Sequence, residues 1–255
     1  MILVATMRKA FAEAWAKRSS FWFQVAVMVT NDLFFVAFWF LFFNEVDSVR
    51  GWDVDRTLLL LAILATVSGV ALGLFPNARW LGQMVADGRI DAALALPANP
   101  LTYLLGRSID PSLLGDLLFG PLLFVALGDL SFERVALFLL GSAVGSVVFV
   151  SFLVLLAAST FFAGGRDEHT ELGFQAILML SSYPPDIFTG ATKLVLFTAV
   201  PAAFVSGLPT RLVDEFSITL IVTMLAVAGA FAVSAYAAFA AGLRRYRSGS
   251  VWTAA

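Results

Sequence analysis

His169 is the only histidine in these 255 residues, and there is no cysteine, so most of the side chains used for catalysis and metal binding are missing. Zinc protease chemistry needs a paired-histidine helix motif, which the lone histidine of Arg166-Asp167-Glu168-His169 does not provide. A serine–histidine pair would need His169 beside a serine inside a cavity, whereas its charged neighbours place it in a solvated loop at a helix start. No Gly-x-x-x-x-Gly-Lys-Ser/Thr phosphate loop occurs, so the chain does not bind ATP by that device. The sequence predicts no catalytic residue, no metal site and no cofactor of its own.

What remains is a set of acids in apolar surroundings. Asp32 stands beside Asn31 in the middle of one apolar run, Asp116 lies within another, and Asp186 follows Pro184-Pro185. A carboxylate at the centre of a bilayer costs at least ~2.5 kcal/mol, so it turns toward protein or water and marks a pathway. Each acid also has a structural reading. Asp186 would cap a short helix after Pro185, and Asp32 would be a protonated, hydrogen-bonded packing residue. Asp116 lies ~40° around a helix from Ser112, on a small polar face with Ser108 and Gly115 that would meet another helix or a subunit. The candidate pathway or interface residues are Asn31, Asp32, Ser112, Asp116 and Asp186. Phe34, Phe35, Phe38, Trp39 and Phe42 form an aromatic cluster beside Asn31 and Asp32, suited either to lipid and packing or to lining a cavity.

The elements that must hold these residues are membrane spans. The chain is 60% hydrophobic and 13% charged, with a mean hydropathy of +0.90. A soluble core of this size does not need so apolar a sequence. Six stretches are long and apolar enough to cross a ~30 Å hydrocarbon layer, which takes ~20 apolar residues. They are Phe21–Phe43, Thr57–Phe75, Asp110–Leu127 (with Asp as N-cap and Pro111 in the first turn), Phe132–Phe162, Glu171–Tyr183 with an irregular continuation, and Phe216–Leu243. In the fourth, Gly141 and Gly145 with Ser142 and Ser146 give the small-residue spacing that allows close helix approach in lipid. The expected fold is an all-α integral membrane protein, a single domain over residues 1–255 without internal repeats.

Loop charges sort by parity. With the N-terminus inside, Arg8, Lys9, Lys17, Arg18, Arg79, Arg89, Arg107, Arg166, Arg244, Arg245 and Arg247 share the cytoplasmic side. Arg50, Arg56, Arg134, Lys193 and Arg211 share the other, and eleven against five is the bias of the positive-inside rule. Both termini inside requires an even number of spans, so Ala191–Ser206, broken up by Pro184, Pro185, Gly190 and Pro201, reads as a re-entrant outer-face hairpin within residues 184–209. Residues 1–20 place Met7, Phe11, Trp15 and Arg18 on one helix face, the pattern of an interfacial helix, unless this stretch simply extends the first span.

The longest soluble segment is Asn77–Arg107. A short helix would carry Trp80, Leu81, Met84 and Val85 on one side and break at Gly88. Ile90–Leu96 would add a turn or two, stopped by Pro97 and Pro100. Gly88-x-x-Asp91-x-x-Leu94-x-x-Pro97-x-Asn99-Pro100-Leu101 resembles the cytoplasmic loop of permease subunits of type-2 ATP-binding-cassette transporters, in a six-helix bacterial branch. Tyr183-Pro184-x-Asp186-Ile187-Phe188, Pro201-Ala202-Ala203-Phe204 and Gly242-Leu243-Arg244-Arg245-Tyr246-x-Ser248 are similar to the same branch, while Arg89 and Leu96 depart from its charge pattern.

The resemblance implies a cytoplasmic-membrane permease with an N-terminal elbow helix and a coupling helix seated on a separate ATPase subunit that binds ATP and Mg²⁺. It also implies a second permease subunit, identical or unlike, and export of a lipidic, glycan or drug-like molecule. The coupling residues would be Met84, Gly88, Arg89, Ile90, Asp91, Leu94, Pro97, Asn99 and Pro100. Membrane lipid is the other partner, and nucleic acid is not one. Two rival readings are a non-transporting membrane scaffold or immunity protein, and an ion-coupled carrier using Asp32 and Asp116, which would be expected to show repeats.

Overall fold

The structure, a computed structural model, describes residues 2–163, 167 and 169–246; Arg166, Glu168, Arg247 and Ser248 lie outside the described residues. Among the described residues there is no strand, only a two-residue bridge between Val49 and Trp52. A helix satisfies its own backbone, the requirement an apolar solvent imposes. α1 (Ile2–Trp15) and α2 (Arg18–Glu45) are separate helices, because Lys17 leaves helical geometry at φ −106° and ψ 65°. α1 therefore does not simply extend the first span.

α3 (Val54–Ser68) begins where the Asp53 side chain accepts the Arg56 N–H, and it runs into a π-helical turn at Gly69–Gly73. The cytoplasmic loop of the sequence reading folds as α4 (Asn77–Ala86), α5 (Asp91–Leu94) and α6 (Pro100–Gly106). Then follow α7 (Leu114–Ala126), α8 (Phe132–Ser159), α9 (Thr170–Ser181), α10 (Gly190–Phe197), α11 (Leu208–Asp214) and α12 (Ile218–Leu243).

Among the described residues, four stretches are long and apolar enough to cross a membrane: Arg18–Glu45, Val54–Ala86, Phe132–Ser159 and Ile218–Leu243. The other two expected spans are short. α7 has 13 residues and α9 has 12, or ~20 Å and ~18 Å at 1.5 Å per residue. The sequence predicts that α7 starts at Asp110-Pro111, whereas it starts at Leu114. The Asp110 carboxylate accepts both the N–H (2.9 Å) and the hydroxyl (2.6 Å) of Ser112. A side chain that bonds the backbone two residues on stabilises a turn in competition with helix.

α3 is the central helix. Every residue from Thr57 to Ser68 is buried, with α7 and α8 packed along it. α2 and α12 are peripheral, and their exposed apolar faces include Phe34, Leu41 and Val233, all at least 70% exposed. Of the α2 aromatic cluster only Trp39 is buried. The glycines of α8 act at one contact: a methyl group on Gly145 would lie 2.5 Å from the Val205 carbonyl oxygen, and one on Gly141 2.9 Å from Pro209 Cβ. They let α8 approach α11 and the wide turn before it.

Candidate functional site

Three groups of residues carry chemistry, one at each end of the bundle and one between them. At the first end, Met84 and Arg89 close the C-terminus of α4. Gly88 has φ +71°, the Arg89 N–H bonds the Met84 carbonyl (2.9 Å), and the Gly88 N–H bonds the Val85 carbonyl (3.3 Å). This paired arrangement ends a helix through a left-handed residue, where glycine has no Cβ penalty. The chain resumes as the single turn of α5. Asn99 then caps α6, its Oδ1 accepting the Thr102 N–H (3.1 Å), with Pro100 in the first turn.

This loop is fused to the bundle. Leu81, Met84, Val85, Ile90, Ala93 and Leu104 share one buried core with Val154, Ala157 and Ala158 of α8 and with Ala235 and Phe239 of α12. The Tyr246 hydroxyl donates to Asp91 Oδ1 (2.7 Å), tying the loop to the end of α12. The Arg79 guanidinium makes a two-pronged contact with Glu171 (2.8 and 2.7 Å) and lies 4.1 Å from the Phe174 ring, tying it to α9. Met84 and Ile90 are thus internal supports, while Arg89, Leu94 and Pro97 are exposed. Trp80 does not share the face of Leu81, Met84 and Val85: it is 45% exposed, with the Arg79 guanidinium 4.7 Å from its ring. His169 is exposed at the head of α9.

Asp186 organises the opposite end. It is not a simple helix cap, for it lies within the three-residue 3₁₀ turn Pro185–Ile187, whose N-cap is Pro184. Its carboxylate accepts the Trp52 indole N–H (3.1 Å), the Lys193 ammonium (3.1 Å) and the Arg211 guanidinium. Arg50 donates to its backbone carbonyl (2.9 Å). A tight turn presents two of these donors: Arg50 and Gly51 have φ of 52° and 82°, and Val49 and Trp52 exchange backbone hydrogen bonds across them. Burial raises the Asp186 pKa, but the hydrogen bonds from Arg211, Trp52 and Lys193 and the Arg211 charge outweigh it and hold the pKa at about 2. Arg56 pairs with Asp214 (3.0 Å), and Arg134 pairs with Asp129 (3.2 Å) while its charge also reaches Asp214. The five basic residues that loop parity assigns to one side therefore meet in one neighbourhood. The sequence offers no signal for Trp52, which is 1% exposed and central to this hub.

The third group lies between the ends. Asp32, at the middle of α2, and Asp116, in the first turn of α7, line one cavity of about 140 Å³ together with Asn31, Ser68 and Ser182. Ser112 is not part of it, being turned to Asp110. Asp186 belongs to the hub at the opposite end instead.

A chain of apolar helices, with one end closed by an ion-pair hub and the other by a compact capped loop, is a multi-pass membrane protein. The family model described as ABC-2 family transporter protein matches residues 26–250, and the chain belongs to that family. No curated protein and no solved structure matches it significantly. The family is one of membrane transport subunits that associate with an ABC ATPase.

Proposed function

We propose that this protein is the permease subunit of an ATP-driven exporter in a bacterial cytoplasmic membrane, carrying a lipidic, glycan or drug-like molecule. Six helices (α2, α3, α7, α8, α9 and α12) cross the bilayer, with α7 and α9 completed by the turns that flank them, and both termini are cytoplasmic. α1 lies in the inner interface as the elbow. The segment from Pro184 to Pro209 is re-entrant from the outer face; in support, its two ends meet where Arg211 reaches Asp186. ATP and Mg²⁺ bind to a separate ATPase subunit, and a second permease copy or homologue completes the pathway beside α2.

The observation that carries the reading is the fusion of the α4–α6 loop to α8 and α12. A partner that pulls on Arg89, Leu94, Pro97 and their neighbours cannot move the loop alone; it moves two long spans with it. ATP-driven closure of the ATPase subunits would thus become rigid-body motion of the spans. Gly88, Asn99 and Pro100 fix the loop's shape, Met84 and Ile90 fix it to the bundle, and Asp91 fixes it to the C-terminal segment. The cavity flanked by Asn31, Asp32 and Asp116 lies on the pathway side.

The test is the double substitution Arg89→Glu with Leu94→Asp, which alters only exposed side chains. Membrane insertion should match wild type, while recovery of the ATPase subunit on co-purification falls at least tenfold and coupled ATP turnover is lost. Normal assembly and transport would remove this loop from the mechanism.

A further inference from the structure

Asp116 is 4% exposed, and its Oδ1 has no hydrogen-bond partner among the described residues. Asp32 Oδ2 is in the same state on the facing helix. Both side chains open on the same cavity, along with the hydroxyl-bearing Ser68 and Ser182. Among the described residues, no lysine, arginine or histidine lines it. The hub at the opposite end, by contrast, gives Asp186 a donor from Trp52, Lys193 and Arg211. A carboxyl oxygen buried without a partner costs of the order of 1–3 kcal/mol, more when charged, so each such group in a native structure calls for an explanation.

The remaining wall narrows the ligand. Seven of the twelve lining residues are apolar, among them Phe35 and Phe119, whose ring faces attract cations. A hard metal ion prefers six to eight oxygens around it, and an aromatic wall does not provide them. An organic ammonium needs a carboxylate, a hydroxyl or two, and apolar or aromatic surface for its carbons. The volume of about 140 Å³ has room for roughly four or five waters, enough for a head group and too little for a whole amphiphile. The tail would lie outside, along the exposed face of α2 near Phe34 and Phe38.

We infer that the Asp32–Asp116 cavity is a recognition site for the ammonium head of an amphipathic amine, the cationic group of the cargo. This rests on the permease reading for its role in transport, but binding itself requires neither ATP nor the ATPase subunit. A lipid amine and a free alkylamine share this head group, and the experiment separates the two.

The experiment uses the full chain in nanodiscs of digalactosyldiacylglycerol, a bilayer lipid with neither net charge nor any ammonium group. Binding of n-octylammonium is measured by titration calorimetry beside n-octanol, its neutral analogue. Wild type should bind octylammonium at least tenfold more tightly than octanol. The double substitution Asp32→Asn with Asp116→Asn keeps the side-chain shapes and should erase that preference. Repeating the wild-type titration with phosphatidylethanolamine in the disc separates the sources. Competition assigns the site to a lipid head group, and undiminished affinity assigns it to a free amine; either supports a cation site. Equal affinity of wild type for octylammonium and octanol would overturn the proposal, and this comparison needs no variant to fold. So would an Asn pair that retains the full preference. Failure here leaves the coupling test on Arg89 and Leu94 untouched, so the two readings fail separately.

Discussion

The Tyr246 hydroxyl donates to Asp91 Oδ1 across 2.7 Å, joining the turn after Gly88 to a residue 155 positions away at the end of α12. The Tyr246 ring is also held edge-on by Phe161 at 5.9 Å between centroids. Two segments that the sequence offers as separate motifs are therefore one physical unit.

Tyr246→Phe isolates the polar part of that unit, because the ring contact with Phe161 survives. A hydrogen bond to a carboxylate contributes ~1.5–3 kcal/mol, and partial exposure of Asp91 places this one at the low end. The loop from Gly88 to Leu96 should open about tenfold more often, read as faster amide hydrogen exchange there with little change in the centre of α3. Identical exchange in the variant would make the bond incidental.

Gly88 sets the path of the same loop. Its φ of +71° is costly for a residue with a Cβ, by ~1–2 kcal/mol. Gly88→Val should lower the thermal midpoint of the purified chain and weaken ATPase recovery, whereas Gly88→Asn, whose side chain tolerates the left-handed region, should lose less. A valine variant as stable as the asparagine one would rule out the backbone argument.

Much of this arrangement was legible before the structure. Long apolar runs announced α2, α3, α8 and α12, and the Gly88 break between two short helices follows from glycine and proline chemistry. The failures have a common cause. Asp110 looked like a helix cap because sequence shows only that an acid precedes a proline; the competing bond to Ser112 is a matter of geometry. Asp186 reads as a cap because it follows two prolines, whereas its real donors arrive from Trp52, 134 positions away, and Arg211. Trp52 itself sits in an acidic, polar loop and gives no periodic signal. Asp32 and Asp116 were each recognisable as costly, but their convergence on one cavity depends on the packing of α2 against α7.

Asp186 gives a pH prediction with a definite sign. Its folded-state pKa of about 2 lies below the ordinary 3.8, so the stability it contributes is complete above the ordinary value and is lost as pH falls through the folded one. The difference in thermal midpoint between wild type and Asp186→Asn should stay constant above about pH 5 and shrink steadily towards about pH 2. A difference that vanished near neutral pH would mean that another group controls the hub.

The last prediction concerns how many times the chain crosses the membrane. Arg50, Arg56, Arg134, Lys193 and Arg211 come from four separate stretches of chain, yet Arg50, Lys193 and Arg211 engage Asp186, Arg56 pairs with Asp214, and Arg134 pairs with Asp129 while its charge reaches Asp214. Asp186 and Arg211 are in contact, and an odd number of crossings between them would separate them. The chain has no cysteine, which gives a clean background for labelling. Single cysteines at Ser48, Ser131 and Thr198 should react with an impermeant thiol reagent applied from outside intact cells. Cysteines at Asp87 and Ser248 should react only after the membrane is opened. Labelling of Ser248→Cys from outside would mean an odd number of crossings, and labelling of Asp87→Cys from outside would invert the whole assignment and place the loop out of reach of any cytoplasmic ATPase.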